Sequence, residues 1–101
     1  MKTTNPRPTH QVRMILPAQL REHTAGVGTL ELGSASSLRD ALQALKQQHP
    51  FVHLRILTET GHLRPHVNLF VDGEDIRFGN GLDTPLLPGS EILVIPAVSG
   101  G

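Results

Sequence analysis

The sequence contains no cysteine. That absence removes disulfides, thiolate metal ligands and a cysteine nucleophile, so any sulfur chemistry must come from outside the side chains, and it fits a reducing compartment. There is no excess of charge of either sign. Nine Lys and Arg balance nine Asp and Glu for a formal net charge of zero, so no global field draws in a phosphate backbone or an anionic lipid surface. Long apolar runs are missing too. The longest, ILVIPAV, is far too short to span a bilayer, and residues 1–10, MKTTNPRPTH, are polar with two prolines and hold no segment of signal-peptide length. These absences argue against nucleic acid and membrane as partners. The expectation is a cytoplasmic protein with a disordered tail over residues 1–10.

What is present reads as one domain, since 101 residues suit a single modest core. QVRMIL places Val12, Met14 and Leu16 on one face of an extended segment and Arg13 and Ile15 on the other, which predicts a first strand ended by Pro17. VGTLEL alternates Val27, Thr29 and Glu31 against Gly28, Leu30 and Leu32, a second strand that can pair with the first across a loose loop. The period then changes. In GSASSLRDALQALKQQHP, Leu38, Ala41, Leu42 and Leu45 fall at i, i+3, i+4 and i+7, an apolar helical stripe. Ser37 is placed as N-cap with Asp40 three residues on, and Pro50 is expected to stop the helix near His49.

Residues 51–65 fit a short helical turn or an irregular crossing equally well and are read as irregular. HVNLFVDGEDIRF alternates Val67, Leu69 and Val71 with Asn68 and Phe70, turns at Asp72-Gly73, a dipeptide that can adopt φ > 0, and resumes at Ile76 and Phe78. That pattern is a hairpin with a short return strand. Glycines and prolines punctuate GNGLDTPLLPGSE, and EILVI closes with a β-branched strand. The order predicts an α+β fold, a mixed sheet of about four to five strands with one main helix packed on one face.

EILVI is apolar on both faces, whereas only one can meet the helix. If Ile92 and Val94 face the core, Leu93 and Ile95 face out, and Phe70 joins them once Leu69 points inward. Phe70, Leu93 and Ile95 are therefore a candidate docking patch, unless residues 51–65 or a second copy of the chain cover them. The six histidines do not make a metal site. His49 with His53 and His62 with His66 have i, i+4 spacing, but Pro50 and Pro65 interrupt each interval and no cysteine completes a set. VDGEDIRFGNGLD has glycines without the strand-loop-helix context of a phosphate loop, and the carboxylates Asp72, Glu74 and Asp75 read as a solvated turn tip.

The order of elements together with HVNLFVDGEDIRFGNGLDTPLLPGSEILVIPAVSGG, ending on Gly100-Gly101, resembles the MoaD/ThiS family of ubiquitin-like β-grasp sulfur carriers. The insert before Val67, the VNLFVDGEDIRF segment and the IPAVSGG ending are similar to CysO-type carriers in particular. The resemblance implies a β-grasp domain over residues 11–96 and a flexible tail over residues 97–101. It implies a protein that is itself no enzyme, with Gly101 as the site of adenylation and then thiocarboxylation, and with Pro96, Ala97, Val98, Ser99 and Gly100 threaded into partner active sites. ATP and Mg would then be used by the activating partner, a ubiquitin-activating-type adenylyltransferase and sulfurtransferase, with no cofactor on this chain. A sulfur-accepting enzyme such as a cysteine synthase would follow, and a metalloprotease that processes or releases the tail belongs to the same picture.

The chemistry gives the glycines an independent rationale. A free carboxylate is a poor acyl donor, and an acyl-adenylate opens its carbonyl to a sulfur nucleophile. Residues without Cβ let that carbonyl enter two unrelated active sites, while Pro96 and Val98 make the segment stiffer and more apolar than a Gly/Ser linker. Other readings fit the same residues. The sulfur could serve molybdopterin, thiamin or a secondary metabolite, Gly101 could form isopeptide bonds as a protein modifier, or the domain could be a β-grasp interaction module with an idle tail.

Overall fold

The computed structural model describes residues 11–96. The disordered tail expected over residues 1–10 and the flexible one over 97–101 lie outside the described residues. Strands β1 (Val12–Ile15) and β2 (Thr29–Gly33) pair antiparallel, and a 3-10 helix over Ala18–Thr24 occupies their connection. The alternation works as the sequence predicts: Val12, Met14, Leu30 and Leu32 are buried while Thr29 and Glu31 are exposed.

Helix α1 (Leu38–Gln48) starts at an extended Ser37 whose Oγ accepts from the Asp40 backbone N–H at 3.2 Å. That bond satisfies one of the orphan donors of the first turn. All four stripe residues, Leu38, Ala41, Leu42 and Leu45, are buried. The reading of residues 51–65 as irregular is corrected by the next element. Pro50 opens a second helix, α2 (Pro50–Ile56), with His49 closing α1 and capping α2. A proline at the first helical position has no N–H to lose and a preset φ, so the residue that stops α1 also starts its successor. Val52 and Ile56, four apart, both enter the core.

Strand β3 (Val67–Val71) turns through Asp72 (φ 50°) and Gly73 (φ 90°) into β4 (Glu74–Asp75), two consecutive positive φ values as a tight hairpin turn requires. The return strand lasts only two residues. Asp75 then accepts from the Arg77 backbone N–H at 2.9 Å and caps a 3-10 helix, Ile76–Phe78, which carries Ile76 into the core. Strand β5 (Glu91–Pro96) completes a five-stranded sheet of order β2-β1-β5-β3-β4, parallel between β1 and β5 and antiparallel elsewhere. The last strand in sequence is thus the middle strand in space. Asp72 does more than solvate a turn tip: its carboxylate accepts from the Glu91 N–H (2.9 Å) and the Ser90 hydroxyl (2.8 Å), fastening the β3–β4 turn to the start of β5.

Both helices lie on the face of the sheet that carries Met14, Leu69, Ile92 and Val94, and together they enclose one core. His53 of α2 is 8% exposed on this layer. Burial, with Lys46 adding a like charge, holds its pKa below the ordinary 6.5. The unfolded chain therefore takes up a proton at His53 before the folded one does. Stability from this group is complete above pH 6.5 and falls as pH drops below it toward the lower folded pKa. Urea unfolding at pH 7.5 and at pH 5.5 should show a lower midpoint at the acid pH, and His53→Gln should shrink the His53 part of that difference.

Candidate functional site: an apolar strand face leading to the C-terminal glycines

The face of the sheet turned away from the helices is built by strand parity. Ile92 and Val94 point to the core, so Leu93 and Ile95 point away from it, at 38% and 39% exposure. Register places the neighbours. Leu93 stands opposite Phe70 of β3 and opposite Ile15 of β1, which makes an apolar row of Ile15, Leu93 and Phe70 across three strands. Ile95 lies one step further along, opposite Asn68.

Residues 51–65 do not cover this row, because α2 and its neighbours pack on the helix side of the sheet through Val52, Ile56 and Leu57. Ile15 is a member that the sequence reading did not place in the patch. Its parity with Arg13 carried the signal, but its neighbour Leu93 comes from the far end of the chain.

Charged groups frame the row at both ends. At the start of β5, Arg13 and Glu91 are register partners and form an ion pair at 3.1 Å. Toward its end, the Arg77 guanidinium donates to Asn68 Oδ1 and to the Val67 carbonyl, the latter at 3.0 Å. Arg13 and Glu91 are too exposed for their ion pair to add much stability. The effect of these groups is to give an apolar strip fixed polar edges, the arrangement of a small protein-docking surface.

The strip leads directly to the residues expected to do chemistry. Pro96, grouped with the tail by the sequence, is the last residue of β5 and stands opposite Val67. With no N–H to offer, it ends the ladder there. Ala97, Val98, Ser99, Gly100 and Gly101 lie outside the described residues. Among the described residues no three His, Asp or Glu side chains group closely enough to hold a metal ion, and no helix is long and apolar enough to cross a membrane. His62 instead shares a short hydrogen-bonded loop with Thr58 and Thr60.

Comparison with known proteins agrees with this geometry. The ThiS family model matches residues 14–101, through the terminal glycine. The sulfur carrier protein CysO of Mycobacterium tuberculosis is 32% identical over 92 residues, covering 89% of this chain and 98% of that protein. A chain in the crystal structure of the Amycolatopsis orientalis BexX/CysO complex superposes with a TM-score of 0.79 at 29% identity, covering 89% of this chain and 99% of its own. The small archaeal modifier SAMP1 of Haloferax volcanii superposes with a TM-score of 0.74 at 31% identity, over 90% of this chain and 99% of its own. The chain belongs to the ThiS family, the ubiquitin-like sulfur carriers of the β-grasp fold, proteins that partner enzymes act upon and not catalysts themselves.

Proposed function

We propose that this chain carries sulfur on its C-terminal glycine. A carboxylate oxygen of Gly101 attacks the α-phosphorus of ATP on an activating enzyme and pyrophosphate leaves. Sulfide then attacks the acyl-adenylate carbonyl, AMP leaves, and Gly101 ends in a thiocarboxylate. The domain contributes recognition: the Ile15, Leu93 and Phe70 row and Ile95 dock on the partner, and Pro96 directs Ala97 to Gly101 into its active site. The observation that carries this reading is the family match, which extends to Gly101. ATP and Mg act on the partner's side of that interface.

The likeness to CysO supports cysteine synthesis as the destination: on a cysteine synthase the thiocarboxylate sulfur bonds to the β-carbon of an activated serine as its leaving group departs, and a metalloprotease then hydrolyses the remaining link between Gly101 and the new cysteine with water. The likeness to SAMP1 favours a second reading, a modifier joined through Gly101 to lysines of other proteins. An intact-mass spectrum after incubation with ATP, sulfide and the activating enzyme tests the first. The expected result is replacement of one oxygen by sulfur, mapped to Gly101. An unshifted mass accompanied by high-mass conjugates in cells would transfer the case to the modifier.

A further inference from the structure

A second exposed surface lies on the helix side of the sheet, beside the end of β5. The inner face of α2 is committed to the core, but Phe51 and Leu54 on its outer face are 69% and 41% exposed. They line a hollow of about 340 Å³ together with His23, Arg55, Arg64 and His66. No Asp or Glu lines it, and Glu22, 3.6 Å from the His23 imidazole, is the neighbouring acid. The Arg64 guanidinium is held in place by donating from Nε to the Leu54 carbonyl at 2.6 Å. Arg55 makes no ion pair among the described residues.

Within a chain of zero net charge, this hollow gathers two guanidinium groups around two apolar side chains. It is also continuous with the root of the tail. Arg55 and His66 belong as well to a smaller, largely apolar hollow of about 160 Å³, walled by Leu20, Val67, Val94 and Pro96. Strand parity places Ile95 on the docking row and Val94 and Pro96 toward these hollows. Pro96 is thus flanked by an apolar row on one side of the sheet and a cationic groove on the other.

We propose that the groove of Phe51, Leu54, Arg55, Arg64, His23 and His66 is a second docking site, for an acidic segment bearing an apolar side chain on the enzyme that activates Gly101. The inference rests on the carrier reading and deepens it. A partner that touches the apolar row alone can pivot about it, whereas one that also grips the groove fixes the direction in which Pro96 releases the chain. Carboxylates of the partner would meet Arg55 and Arg64, and an apolar side chain would settle on Phe51 and Leu54. A polynucleotide is a poorer fit, since the chain supplies no net positive field to draw in a phosphate backbone.

The test is thiocarboxylation of the full chain by its activating enzyme, followed by intact mass over a range of chain concentrations, for the wild type, Arg55→Glu and Phe51→Ser. Both side chains are exposed, and thermal melts verify that the variants stay folded. The expected result is a KM raised about tenfold in each variant with kcat within about twofold. The wild-type KM should rise with salt, and that of Arg55→Glu should rise much less. If the wild type is never thiocarboxylated, the carrier reading itself fails. If it is, and both variants keep the wild-type KM and salt dependence, the groove is no docking site for the activating enzyme. Unchanged KM together with loss of binding to a single-stranded RNA homopolymer in Arg55→Glu would assign the groove to nucleic acid instead and also overturn the inference.

Discussion

Replacing Gly100 by valine is expected to cut thiocarboxylate formation at Gly101 by at least about a hundredfold, because misplacing the reacting carbonyl by as little as 1 Å can cost that much. The substitution adds a β-branched side chain next to the reacting carboxyl and restricts the backbone angles it can take while entering an enclosed site. The core is enclosed by side chains between Val12 and Val94, so the unfolding midpoint is expected to stay in place. Intact mass of the variant after the activation reaction, beside its thermal melt, reads both halves of the expectation. A Gly100→Val chain that is thiocarboxylated at the wild-type rate would show that the tail is not threaded through a narrow passage, and the glycine pair would need another explanation.

Leu93→Glu is the second substitution with a large expected effect. Leu93 is the centre of the apolar row, with Ile15 on one side and Phe70 on the other. A carboxylate there would lose its water against an apolar partner surface when the face docks. An increase in KM on the order of a hundredfold follows, about 2.8 kcal/mol at 1.4 kcal/mol per factor of ten. Stability should change by no more than about 1 kcal/mol, because the side chain already reaches solvent. Michaelis analysis and a urea melt separate the two quantities. An unchanged KM would place the docking contact away from this face.

Much of the fold is legible in the sequence because its strongest signals are local. The capping serine, the four-residue stripe of α1, the Asp72-Gly73 turn and the alternation in β1, β2 and β3 each depend on a few neighbouring residues and on elementary geometry. What escaped was decided by partners distant in sequence. Pro50 reads as a stop, and its second role as the first residue of α2 depends on Val52 and Ile56 finding the core. Ile76 and Phe78 alternate like a strand, yet the return strand gives way to a 3-10 helix once Asp75 caps it and Ile76 turns inward. The use of Asp72 as a brace for Ser90 and Glu91 is invisible along the chain, since those residues lie 18 and 19 positions away. Phe70, Leu93 and Ile95 could be placed on one face by parity alone. Ile15 required knowing that β1 and β5 run parallel side by side.

That parallel pairing orders events during synthesis. Strands β1 and β2 can meet early, and so can β3 and β4, but the two hairpins have no shared sheet until β5 slides between β1 and β3. Closing long-range pairs is the slow step of such topologies, and an incomplete chain leaves the apolar sides of both hairpins open to proteases and chaperones. The strand that closes the sheet also supplies Leu93 and Ile95 and leads into the glycines. A prematurely terminated product that lacks β5 therefore lacks Leu93 and Ile95 of the proposed docking face as well as Gly101. Such fragments keep Ile15 and Phe70 but present them on separate hairpins, with no central strand to join them into one face.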